Sequence, residues 1–512
     1  MPRQPAPVVF AIGPEVDEGR VARWVGGAER AGPGRLADRT LLDTFDGRLR
    51  RQGMALWREG RRGSMTIRLE QAADSSTSVA LDAGRPDRLL AADLPEGVLG
   101  ERLRQVIGER ALLPRARVRT RSLPLRVCDR EGKTVVRLSI EEPGLLRSGG
   151  GTLDLGRRLR VSAVLGYDRE MERVVAALAR RVQTMDRELA DEALLAAGLP
   201  PSGMSSDVDV RLKPDMRADR ASAAICRRLA EIVDVNLPGV LADTDPEFLH
   251  DLRVAVRRSR SVLKEMRRVF PNEELERSRG DLRWIQEITG PTRDLDVLLH
   301  DWPEMVAPVP AGMAGDLQPL VDLLRREREE AFTSMRRQLR SRRFATAWDQ
   351  WRATVSRSRF DGPDADRPIG ELAGGRIVSV YGSMVKMGLA IDDTSPPTAL
   401  HDLRKRGKEL RYLLELFGRM WPAESVKPLV GALKGLQDVL GYFQDDEIQV
   451  RELRSLGPVV AAAPGGTDSL IALGFVIEEL TVRQRQARHD FARRFADFSR
   501  PVTRRTVKRT FL

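Results

Sequence analysis

The sequence predicts an α+β multidomain chain: a strand-rich amino-terminal part, then an all-helical domain of two similar halves. Short β-branched runs separated by Gly, Asp and Pro fill the first third of the chain. From Asp215 onward apolar residues recur at three- and four-residue spacing, broken at Pro/Gly clusters. That helical stretch also repeats itself. His250-Asp251-Leu252-Arg253 returns as His401-Asp402-Leu403-Arg404, an offset of 401 − 250 = 151 residues.

The strands come first in the chain. Val8–Ile12, Ser64–Leu69 and Thr134–Ile140 read as strands, and Asp129-Arg130-Glu131-Gly132 as a hairpin turn. In Arg115–Arg121 arginines alternate with small or apolar residues, so one strand face is either solvated or lines a charged cavity. Asp168–Ala197 has a long helical pattern, and Pro200-Pro201-Ser202-Gly203 opens a linker. The expected domains are 5–198, a linker at 199–214, and a helical domain at 215–505 with halves near 215–360 and 368–505. Pro303–Gly315 and Asp361–Pro368 read as loops.

The repeated residues are mostly cationic. His250, Arg253, Arg257, Arg260 and Lys264 step by three and four, which places them on one helix face. His401, Arg404, Lys405, Lys408 and Arg411 repeat the row, with Glu415 where the first copy has Lys264. Arg283 and Lys434 are repeated cations on the next helix, near Gln286 and Gln437. Like charges at i,i+4 repel by a few tenths of a kcal/mol. Rows without carboxylates are tolerated more easily with an anion against them.

Composition agrees. The chain has 512 residues, 86 Lys plus Arg against 74 Asp plus Glu, a net charge of +12 and a pI near 10.2. That balance favours a polyanionic partner. Aromatics are only 5%, which argues against base stacking and so against nucleic acid. Cys128 and Cys226 are far apart, and the four histidines are scattered. No disulfide framework, metal site or cofactor is expected. No apolar run is long enough for a membrane span or a signal segment, so a cytoplasmic protein is expected.

The segments Phe248–Arg258 and Leu400–Tyr412, with the Leu-Arg/Lys-x-x-Gln…Gly…Asp blocks after them, resemble the two signatures of the CHAD domain, the conserved histidine α-helical domain. The resemblance covers roughly 215–505. It implies two pseudo-twofold-related four-helix bundles with a basic channel that binds inorganic polyphosphate without chemistry, and a place on polyphosphate granules. Its ligand-contacting positions fall on His250, Arg253, Arg257, Arg258, Arg260, His401, Arg404, Lys405, Lys408 and Arg411, with Arg283 and Lys434 beside them. Lys264 joins them as the last cation of its row.

Residues 5–180 resemble a CYTH domain, an antiparallel triphosphate-tunnel barrel. Leu42-Asp43-Thr44 through Leu56, Val118–Arg121 and Gly166-Tyr167-Asp168 carry that likeness. The resemblance requires an E-x-E-x-K strand for metal and phosphate, but Val8–Ile12 contains no charge. In Leu56-Trp57-Arg58-Glu59, Trp57 and Glu59 stand where arginines are expected in L-R-x-R. Arg68, Arg119, Arg121 and Glu141 are expected to remain inside the tunnel. A tunnel phosphatase needs its metal to polarise the phosphoryl oxygen, so no catalytic residue is assigned. The alternatives are a tunnel triphosphatase and a general polyanion or nucleic-acid binder.

Overall fold

The computed structural model describes residues 6–61, 64–71, 74–81, 88–357, 359–392, 394–462 and 465–512. The chain divides into two compact units, Met1–Ser206 and Asp207–Leu512.

The first unit is built on an antiparallel sheet. Its strands are β1 (Val8–Ala11), β2 (Glu29–Arg30), β3 (Arg35–Asp43), β4 (Met54–Arg61), β5 (Ser64–Gln71), β6 (Asp74–Leu81), β7 (Leu113–Cys128), β8 (Thr134–Leu146), β9 (Thr152–Asp154) and β10 (Arg158–Ala163). The order is β1-β10-β8-β7-β3-β4-β5-β6, with β2 on β7 and β9 on β8. The expected Asp129–Gly132 turn joins β7 and β8, and the Asp129 carboxylate accepts from the backbone amides of Glu131 and Lys133. Helices α1 (Glu18–Val25), α2 (Arg48–Arg51), α3 (Val98–Ile107), α4 (Asp168–Ala179) and α5 (Leu189–Ala196) complete the unit. Asp17 caps α1, accepting from the Arg20 amide at 2.7 Å.

The helix expected over Asp168–Ala197 is broken between α4 and α5. There the backbone turns to the edge of β1: the Ala11 amide donates to Gln183 O and the Met185 amide to Val9 O. An edge strand's open hydrogen bonds outcompete helix propensity at that point.

In the second unit the first repeat supplies α6 (Ala218–Leu241), α7 (Pro246–Glu265), α8 (Asn272–Val306), α9 (Gln318–Leu339) and α10 (Arg342–Ser356). The second supplies α11 (Ile369–Leu389), α12 (Pro397–Phe417), α13 (Ala423–Ala461), α14 (Gly466–Phe498) and α15 (Pro501–Phe511). The loop expected from Pro303 begins later, because α8 runs on to Val306.

A pseudo-twofold relates the repeats. The Ala218 amide donates to Arg367 O at 2.9 Å, and its counterpart Ile369 donates to Met216 O at 2.8 Å. The Asp219 amide donates to Ala365 O and the Gly370 amide to Pro214 O, another matched pair. Each repeat is thus tied to the segment that leads into the other.

Candidate functional site

The two cationic helices are α7 and α12, and each buries the face opposite its cations. Asp245 caps α7, its carboxylate accepting from the amides of Glu247 and Phe248, with Pro246 in the first turn. Phe248, Leu249, Leu252, Val256 and Leu263 are buried on α7, and Leu400, Leu403, Leu410, Leu413 and Phe417 on α12. Burial of these rows sets the rotation of each helix and so aims the cations.

The helices touch, and their contacts run in opposite chain directions. Arg258 Nη2 lies 2.8 Å from Glu415 Oε2, and Lys264 Nζ is paired with Glu409. The rows therefore meet near their carboxyl halves, with His250 and His401 at the far ends. Each row from its histidine to that crossing covers about 16 Å at 1.5 Å per residue.

The expected contact residues separate into neutralised and free cations. Besides Arg258 and Lys264, Arg404 binds Asp445 at 2.9 Å, Lys405 binds Asp402 at 3.2 Å, and Arg411 lies 3.2 Å from Glu415. Arg253 Nη1 donates to Gln286 O and Thr289 Oγ1, both at 2.8 Å, and Gln286 Nε2 returns a bond to Arg253 O. This arginine braces α7 against α8. The neutralising carboxylates come from the facing helix, from α13 and, for Lys405 and Arg411, from α12 itself.

Among the described residues, Arg257, Arg260, Arg283, Lys408 and Lys434 have no carboxylate partner. Arg257 lies over the Tyr412 ring at 5.7 Å, and Arg411 lies near the same ring at 5.5 Å. Arg257 Nε and Tyr412 Oη are buried without a hydrogen-bond partner. Buried polar atoms of this kind call for a partner.

Cation crowding shows in the titration of these groups. Burial pushes the Lys408 ammonium down to about 8, and the charges of Arg404, Arg257 and Arg411 push the same way against Asp445. Arg257 is on α7, so cations from both repeats act on one lysine. Burial also lowers Arg260, helped by Arg283 and Arg279. His250 is lowered by burial and then by Arg293. At the matching place in the second repeat, His401 Nδ1 contacts Gln444 Oε1. Arg293 and Gln444 are equivalent positions that sequence reasoning passed over, as it did Glu409. Their signal was present in the 151-residue offset.

In the first unit one sheet face carries Arg39, Trp57, Glu59, Arg68, Glu70, Glu141, Arg158 and Arg160, placed by the register of neighbouring strands. Arg39 lies 3.3 Å from Glu70, Arg160 lies 3.1 Å from Glu141, and Arg158 lies 2.7 Å from Glu192 on α5. Arg68 and Glu141 share this face. Arg119 and Arg121 do not: strand alternation puts them on the other side, exposed, with Arg119 bidentate to Asp38 at 2.7 and 2.8 Å. Leu189, Ala190, Ala193 and Leu194 of α5 pack over Leu41, Trp57 and Val118 on the polar face's side.

Among the described residues no cluster of His, Cys, Asp and Glu is arranged to hold a metal, and no helix is long and apolar enough to cross a membrane.

Residues 223–454 match the CHAD domain family. An uncharacterized protein of Mycobacterium tuberculosis, Rv2226 in strain H37Rv, is 27% identical over 303 residues, 56% of this chain. The chain spans 57% of that relative's length. Among solved structures, the CHAD domain from the plant Ricinus communis is 23% identical with a TM-score of 0.48, covering 58% of this chain and 96% of that one. PptA from Streptomyces chartreusis is 18% identical with a TM-score of 0.42, covering 55% of this chain and 99% of that one. A candidate adenylate cyclase from Bacillus halodurans is 16% identical with a TM-score of 0.27, covering 37% of this chain and 96% of that one. The helical unit thus carries a CHAD domain over residues 223–454, with its paired histidine signatures at His250 and His401.

Proposed function

We propose that the helical unit binds inorganic polyphosphate without chemistry, along the cations of α7 and α12. One observation carries the reading: among the described residues Arg257 and Lys408, equivalent residues of the two repeats, have no carboxylate partner, and they crowd one another. Unneutralised cations held together by a fold are an anion site awaiting its anion. Arg forks match phosphate oxygens, and Lys adds a point charge. His250, Arg253, Arg260, Arg283, His401, Arg404, Arg411 and Lys434 flank the centre and extend the path. Arg258, Lys264 and Lys405 contribute through their ion pairs. A granule-associated, cytoplasmic protein is the corresponding cellular picture.

The competing reading is a tunnel triphosphatase in the first unit. Against it stand the uncharged β1 and the carboxylates that already meet Arg39 and Arg160. A nucleic-acid binder would interleave aromatics with its cations, and Tyr412 is the one ring among them.

Titration of the full chain with long polyphosphate, triphosphate and RNA at several salt concentrations tests the reading. Long polymer should bind tightest, with a steep log–log salt dependence from the phosphates neutralised. Equal affinity for triphosphate and long polymer would place the site in a small pocket and end the channel model.

A further inference from the structure

The pseudo-twofold fails beside Trp421, and the failure opens a groove. In the first repeat Phe270, just after α7, is covered by Phe360 from the segment leading into α11. Their ring centroids are 4.7 Å apart, and both are buried. The same segment sends Asp364 to Arg268 at 2.8 Å, and the Asp364 amide donates to Arg268 O. In the second repeat Trp421 stands at the position of Phe270 and Arg419 at that of Arg268. The position matching Phe360 is Asp209. It pairs with Arg419 but brings no ring. A cavity of about 700 Å³ remains, with Trp421, Val426, Val430 and Leu433 among its apolar lining and Lys427 and Lys434 among its cations.

Three features of the groove bear on its ligand. Val430 is 42% exposed, an apolar side chain with nothing over it. Lys427 and Lys434 have no carboxylate partner among the described residues. Trp421 is held from one side by Phe511, with centroids 4.8 Å apart, so its position does not depend on a ligand. A phosphate polymer could meet the lysines, but it has no apolar atoms to set against Val426, Val430 and Leu433.

We propose that this groove binds a short acidic peptide segment carrying an aromatic side chain. The chain itself supplies the template. Phe360 to Asp364 fills the equivalent place in the first repeat with one ring and a carboxylate on an arginine. A partner segment of that chemistry puts its ring over Trp421 and Val430 and its carboxylates on Lys427 and Lys434. An apolar anchor in a pocket with a charged rim is a common way of holding a peptide. Polyphosphate binding is not a premise here, although Lys434 and Arg411 belong to both sites and make the two ligands competitors.

The test uses the full chain and a fluorescein-labelled peptide of the 359–366 sequence, Arg-Phe-Asp-Gly-Pro-Asp-Ala-Asp, followed by anisotropy. Saturable binding is expected. Val430→Glu places a charge in the groove, and Asp209→Phe restores the missing plug; each should weaken the peptide at least roughly tenfold. Val430 and Asp209 are both outside the core, and circular dichroism checks that each variant is folded. Lys408→Glu should leave peptide affinity within about twofold while weakening polyphosphate. Absence of saturable binding overturns the proposal, as does binding insensitive to both groove variants. Loss of the peptide in Lys408→Glu, or equal binding of a peptide with its Phe replaced by Ala, shows only a general anion site. If decyl phosphate binds with Val430→Glu sensitivity and the peptide does not, the groove belongs to an amphiphilic phosphate and the peptide proposal falls.

Discussion

Arg258 Nη2 donates to Glu415 Oε2 at 2.8 Å across the two repeats, and the same contact recurs with its charges exchanged between Lys264 and Glu409. At the 151-residue offset, 258 matches 409 and 264 matches 415. Each position carries opposite signs in the two copies. Two copies of the first repeat would set Arg258 against Lys264, and two of the second would set Glu409 against Glu415. The charges therefore select a tandem of unlike repeats over self-pairing of either one.

Arg258→Glu should destabilise the chain, and adding Glu415→Arg should recover most of the loss. Both side chains are partly exposed, so a coupling of about 0.5–1 kcal/mol is expected. Urea unfolding of the wild type, both single variants and the double variant measures it. A double variant no more stable than additivity allows would mean that the pair does not hold the repeats together.

Charge reversal at Arg257 or at Lys408 should each weaken long polyphosphate by at least roughly tenfold, and the double reversal should lose less than the product of the two. One polymer spans both rows, so either break disables the shared path. Full-strength binding by a folded Arg257→Glu, Lys408→Glu variant would eliminate the channel.

Polyphosphate affinity should fall as pH rises above about 8. Burial and neighbouring cations hold Lys408 near that value in the free protein. Below it Lys408 is charged and attracts phosphate; above it, binding must also take up a proton. The free fold responds with the opposite sign. The charged lysine costs stability below pH 8, and that cost is relieved as pH rises from about 8 toward the ordinary lysine value. Isothermal titration at pH 7, 8.5 and 9.5 reads the binding effect. Lys408→Arg, which stays charged throughout, should flatten it; an unchanged slope in that variant would assign the effect to another group.

No appreciable orthophosphate should be released from triphosphate or ATP with Mg²⁺ or Mn²⁺. β1 has no carboxylate for a metal, and Glu141 is engaged with Arg160 at 3.1 Å. Robust metal-dependent turnover, abolished by Glu141→Gln and untouched by changes at His250 and His401, would promote the tunnel-enzyme reading.

The sequence by itself determined the order of a β unit before a helical unit, the internal repeat and the cation rows. These follow from local periodicity: alternation marks strands, three- and four-residue spacing marks α7 and α12, and a constant offset marks duplication. It also placed the Asp129–Gly132 turn between β7 and β8, because tight turns are written in a few adjacent residues. Only the tertiary structure decided which cations are free. Arg258 and Lys264 look like Arg257 and Lys408 along one helix, but their neutralising carboxylates, Glu415 and Glu409, lie about 150 residues away. The break between α4 and α5 was hidden for the same reason, since the bonding partner of that segment is β1 at the other end of the unit. The side of the sheet on which Arg119 and Arg121 stand likewise required the register of strands far apart in sequence. Periodicity fixes which residues share a face; long-range pairing decides what that face meets.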